Sequence, residues 1–171
     1  MIPAAPTGAL AVTLTAISPS THRVAFLRAD GPCDQAVLDT RSFLVHDLLH
    51  FAIESEAGFS RAFYGRFAGG ACYRALAVMT AADFSPAADN EAWLAQMLVG
   101  PLTPIARGQP LPPGFVASLS EMMAAHGVTR PAWLDDDFLT RALGRFRRLS
   151  GHWKAAPFGQ PMRLEFGASL D

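Results

Sequence analysis

The stretch from Arg41 to Ala57 limits what this chain can fold into more than any other. It predicts one helix of about four and a half turns, with Thr40 or Asp39 as N-cap and Gly58 closing the C-terminus. At about 100° per residue, His46, His50, Glu54 and Asp47 fall in one wedge of roughly 100°, shared with Phe43 and Ala57. Leu44, Val45, Leu48, Leu49, Phe51, Ala52 and Ile53 cover the rest of the circumference. A helix so widely apolar is a buried, central one, so the remaining chain must wrap it. Its polar stripe holds no Lys, Arg or Gln but only His, Asp and Glu, all of them metal-ligand or proton-transfer types.

The 171 residues suffice for one domain that buries about two-thirds of its unfolded surface. Half the residues are apolar and 17% are charged, which excludes a disordered chain. A net charge of -1 lacks the basic excess that nucleic-acid binding needs, so no nucleic-acid partner is expected. Pro3, Pro6, Thr13 and Thr15 interrupt the N-terminal apolar residues, and no basic region precedes them, so no signal peptide is expected. The absence of a long uninterrupted apolar run excludes a transmembrane segment. Cys33 and Cys72 lack paired spacing and read as reduced thiols of a cytoplasmic protein.

In chain order, Leu10–Ile17 alternates as a half-buried strand, Ser18–Thr21 is a turn, and His22–Arg28 completes a hairpin. Residues Asp30 to Asp34 read as a loop leading to the central helix. A second helix is predicted over Phe59–Ala68, with Phe59, Phe63 and Phe67 as an aromatic ridge, and Gly65 and Ala62 allow close approach. Residues 71–84 fit either helix or strand. Ser85-Pro86 starts a helix that ends at Gly100-Pro101, and the proline-rich segment 101–113 reads as a loop. Further helices run from Pro113 to His126 and from Asp135 to about Leu149, and Met162–Phe166 alternates as a strand able to join the hairpin. The fold class is α+β: a small antiparallel sheet, from the N-terminal hairpin and the C-terminal strand, packed on about five helices in a single domain spanning residues 1–171.

His46 and His50, at i and i+4, place their side chains about 5–6 Å apart. That spacing suits two imidazoles on one divalent ion such as zinc, iron or manganese, as in HExxH. Glu54 lies about 12 Å along the axis from His46 and is better placed to orient His50. A further ligand would come from Asp83, His22, His126 or His152. The competing reading is a hydrogen-bonded core network in which Glu54 or Asp47 pairs with Arg61, Arg66 or Arg74. Asp47 stands where zinc peptidases carry the glutamate that acts as base, so peptidase activity is not inferred.

His46-Asp47-x-x-His50 resembles the opening of the HDxxH zinc motif of the ubiquinone-biosynthesis family that includes the fourth Coq protein, a resemblance that implies zinc at the two histidines. That family has a glutamate twelve residues after the second histidine, where this chain has Ala62. The longer run from His46 to Gly70 resembles small uncharacterised bacterial proteins with an HDLxHFxxE pattern followed by GFxxxFYGxxAxG, a likeness that implies no activity.

These observations lead to two expectations. In the first, the helix carries a site with His46 and His50 as metal ligands and Asp47 or Glu54 as base. Its chemistry would be hydrolysis or proton transfer on a small apolar or amphipathic ligand, with Phe59, Phe63 and Tyr64 lining the substrate pocket. In the second, the stripe is structural and the protein is a non-enzymatic ligand-binding or interaction module. Homo-oligomerisation is left open by both. Arg141, Arg145 and Arg148 share a helix face that suits an anion, although acids at a helix start and bases at its end also complement the macrodipole.

Overall fold

The computed structural model describes residues 9–73, 85–86 and 90–167. Strands β1 (Leu10–Ala16), β2 (Thr21–Arg28) and β3 (Gly31–Asp39) lead into helices α1 (Thr40–Ala57) and α2 (Phe63–Ala68). Helices α3 (Asn90–Ala106), α4 (Phe115–Ala124) and α5 (Asp136–Ala155) follow, and β4 (Pro161–Phe166) ends the described chain. The sheet is antiparallel throughout, in the order β3-β2-β1-β4. The α+β class holds, with five helices among the described residues.

Strand alternation builds one apolar face. Leu10, Val12 and Leu14 stand opposite Phe166, Leu164 and Met162 of β4, while Val12 and Leu14 face Phe26 and Val24 of β2. All of these are buried, whereas Arg23, Arg163 and Glu165 point to solvent. Helix α1 starts on Asp39, whose carboxylate accepts the Ser42 N–H at 2.8 Å, and ends on Gly58 at φ +67°, the left-handed conformation glycine adopts freely. It is enclosed by α3, α5, α2 and the sheet, with Leu48, Leu49, Phe51, Ala52 and Ile53 in the core. No helix among the described residues is long and apolar enough to cross a membrane.

Several elements depart from the sequence expectation. Gly31–Asp39 is a strand and not a loop. As an edge strand it needs only Ala36 and Leu38 against the core, and its polar alternate residues conceal it from a hydrophobicity pattern. The helix after Ser85-Pro86 begins at Asn90 in the described residues and continues through Pro101 and Pro104 to Ala106. Each proline removes one helical hydrogen bond, but Leu98, Val99, Leu102 and Ile105 hold the helix to the core. The Thr103 hydroxyl also donates to the Val99 carbonyl at 2.8 Å. The second helix starts at Phe63 and not Phe59, and the last runs on to Ala155. Residues 74–84, read as helix or strand, lie outside the described residues.

Extending α5 carries Trp153 onto the sheet, where its ring meets His22 edge-on at 5.7 Å. His22 is fully buried; its Nδ1 pairs with the Thr40 hydroxyl at 3.2 Å, and its Nε2 has no partner among the described residues. Burial pushes the imidazole below its ordinary value, against a smaller upward pull from Asp47 and Asp39. A histidine held low in the fold binds fewer protons than the unfolded chain, so stability is lost as pH falls through the unfolded value of about 6.5. His22→Phe keeps a ring there with no proton to take up. In thermal melts the stability of wild type relative to His22→Phe should fall from about pH 7.5 to pH 5; a constant difference would remove His22 from the acid response.

Candidate functional site

The polar stripe of α1 runs from solvent into the core. His46 keeps 40% of its side chain exposed and Asp47 13%, while His50 keeps 7% and Glu54 none. The helical period brings the imidazoles of His46 and His50 to 4.6 Å between centroids, the proximity expected from their spacing. Their partners then divide the stripe in two.

Glu54 accepts three N–H groups. His50 Nδ1 lies 3.0 Å from Oε1, the Phe63 backbone N–H donates to the same oxygen at 3.1 Å, and the Tyr64 N–H donates to Oε2 at 2.7 Å. The last two belong to the first turn of α2, which has no side-chain cap of its own and needs acceptors for its free donors. Glu54 supplies them, and its partners among the described residues are His50, Phe63 and Tyr64, with Arg74 outside those residues. Its own carbonyl takes the Gly58 and Phe59 N–H groups. Glu91 of α3 takes the Ser60 and Arg61 N–H groups at 2.8 and 2.6 Å. The turn that results is so tight that a Cβ on Gly65 would sit 2.3 Å from the Ser60 carbonyl carbon. The close approach expected of Gly65 is therefore to the chain's own preceding turn.

Tyr64 is fully buried and its hydroxyl donates to the Asp47 carbonyl at 3.1 Å. Burial, then the charges of Asp47 and Glu54, push its phenol well above the usual range, which keeps it a neutral donor. Phe63 and Phe67 pack on Phe26 of β2, the latter stacked at 3.8 Å. Phe59 turns away to Trp133.

A cavity of about 150 Å³ opens beside the outer half of the stripe. Val24, Phe26 and Leu38 of the sheet, Phe43, His46, Asp47 and His50 of α1, Phe63 of α2, and Tyr73 line it. Of the expected pocket residues only Phe63 is among them: Phe59 belongs to the Trp133 cluster and Tyr64 is spent on the Asp47 carbonyl. Glu54, expected as a base, is not among the lining residues: it is fully buried and holds three N–H groups inside the core. Asp47 does reach the cavity, with one oxygen 3.1 Å from His46 Nδ1 and the other without a hydrogen-bond partner among the described residues.

The donor set does not fit the expected divalent ion in this arrangement. Both nitrogens of His50 are engaged, Nδ1 with Glu54 and Nε2 with the Gln96 side chain at 3.1 Å, leaving no lone pair for a metal. No group of three His, Cys, Asp or Glu among the described residues is placed to hold one. His126 bonds the Met122 carbonyl at 2.9 Å, His22 bonds Thr40, and Asp83 lies outside the described residues. Two of the three α5 arginines expected to suit an anion are paired with Glu56, Arg145 at 2.6 Å and Arg141 at 3.4 Å. Cys72 is a free, exposed thiol.

Sequence reasoning missed Phe26, Leu38, Val24 and Tyr73, because only tertiary folding brings them to the stripe. Glu91 and Gln96 were missed for the same reason. Comparison of the chain with protein-family models, with curated proteins and with solved structures finds no match.

Capping and catalysis make different demands on Glu54. Glu54→Ala strands three buried N–H groups at about 1–3 kcal/mol each, so urea unfolding should show a loss of about 3 kcal/mol or more. Glu54→Gln should lose less, and His46→Ala at the cavity mouth about 0.5 kcal/mol. A Glu54→Ala loss comparable to that of His46→Ala would refute the capping role.

Proposed function

We propose that this protein binds a small molecule with an apolar body about the size of one aromatic ring and a hydrogen-bond-donating head, and that the head meets Asp47 and His46. The cavity carries this reading. An apolar cavity of about 150 Å³ accommodates one benzene-sized ring, and apolar walls with a few convergent polar groups are the usual form of a ligand site. The Asp47 oxygen that has no hydrogen-bond partner among the described residues supplies the acceptor.

The His46–Asp47 pair equips the site for proton transfer. With Nδ1–H donating to Asp47, His46 holds its lone pair on Nε2, where a proton leaving the bound head would be received. His50 and Glu54 are read as structural: they fix α2 and hence the Phe63 wall. This favours a metal-free site over metal-assisted hydrolysis, because His50 would have to give up Glu54 or Gln96 to bind an ion. A cytoplasmic location belongs to the same reading and rests on the isolated cysteines.

Ligand-observed NMR with toluene and p-cresol tests the proposal. Both should bind at millimolar concentration or below, and Val24→Phe, which fills the cavity, should abolish both. Asp47→Asn should weaken p-cresol about tenfold, the equivalent of one hydrogen bond at ~1.4 kcal/mol, and leave toluene within about twofold. No binding, or binding indifferent to Val24→Phe, would refute the assignment.

A further inference from the structure

The cavity has a chemical bias that apolar character alone does not explain. Among the described residues that line it, Phe26, Phe43, Phe63 and Tyr73 bring phenyl or phenol rings, and the one formal charge is the Asp47 carboxylate. No lysine or arginine is among these described lining residues. The rings come from separate segments and stand at angles to one another, Phe63 at 74° and Tyr73 at 25° to Phe26, with centroids 6.4 Å away in each case. Phe63 thus stands across Phe26 while Tyr73 lies nearly parallel to it, so the rings present faces to the cavity from more than one direction.

A second carboxylate backs one wall. Asp34 accepts the Tyr73 backbone N–H at 2.7 Å. Burial, and after it the charges of Asp47 and Asp34, raise the Tyr73 phenol, so this wall presents a neutral ring in a negative field.

A neutral occupant without a donor would strip water from Asp47 and leave an oxygen unpaired, at a cost of about 1–3 kcal/mol or more for a charged group, and a neutral donor would satisfy one oxygen without compensating the charge. An organic cation reverses that balance. It compensates the carboxylate and is attracted by the ring quadrupoles within about 6 Å. We propose that the ligand of this site is a small organic cation, an alkylated ammonium seated among Phe26, Phe43, Phe63 and Tyr73 with its charge toward Asp47. This rests on the small-molecule reading above and adds the sign of the ligand's charge.

Titration calorimetry with choline and its uncharged carbon isostere 3,3-dimethylbutan-1-ol, run beside toluene, separates the two readings. Choline should bind at least tenfold more tightly than the isostere. Asp47→Asn should remove that preference while circular dichroism shows the fold intact. Phe43→Leu, at a half-exposed position with little bearing on folding, should weaken choline several-fold. Equal binding of choline and isostere, a preference that survives Asp47→Asn, or toluene binding without choline binding would each overturn the cation proposal and leave the pocket standing. Failure of all three probes would overturn both.

Discussion

The buried carboxylate of Glu54 is the interaction on which the site depends. Between Gly58 and Tyr64 the chain leaves one helix and starts another, exposing backbone donors that neither helix satisfies internally. Two go to the Glu54 carbonyl, two to its carboxylate, and two to Glu91. A turn held by two acids can sit under a core without orphaned N–H groups. It also fixes the first turn of α2 within hydrogen-bond distance of α1, which sets where Phe63, Tyr64 and Phe67 meet the sheet.

Burying a carboxylate is costly unless its oxygens are used, and Glu54 meets that condition with three donors. The same condition separates it from catalysis, because a fully buried carboxylate already holding three N–H groups is not presented to a substrate proton. His50 is drawn into the same network by Glu54 and Gln96. One helical turn toward the N-terminus, His46 and Asp47 lie where the sheet and α1 diverge, and there the polar groups face a cavity. Residues of one chemical type along one stripe thus differ in role by depth alone.

The central helix, its caps at Asp39 and Gly58, the hairpin and the C-terminal strand were legible because each rests on local chemistry: a period, a cap, a turn. So was the depth of the stripe, since an almost wholly apolar helix has nowhere else to put its polar residues. The edge strand β3 was not, because strands exposed along one side carry residues such as Asp34, Gln35 and Asp39 that resemble a loop. The continuation of α3 through two prolines was hidden for the opposite reason: a strong local breaker is overruled by the burial of Leu98, Leu102 and Ile105. The partners of Glu54 could not be found from side-chain types at all, because two of them are backbone N–H groups of residues nine and ten positions on. Sequence spacing placed two imidazoles side by side, but what each nitrogen already holds is set by tertiary contacts.

Four of the described lining residues are held by interactions that owe nothing to an occupant. Phe26 is stacked on Phe67, Phe63 is placed by the Glu54 cap, the Tyr73 backbone is tied to Asp34, and Asp47 is tied to His46. A dry void of this size would cost about 4 kcal/mol at ~24 cal/mol per Å³, and collapse of one side chain would recover part of that. The stacking of Phe26 on Phe67 and the capping that places α2 oppose such a collapse, so part of the wall is maintained by the same contacts that hold the fold. A ligand entering it meets side chains already ordered, and little of its binding energy is spent on ordering them.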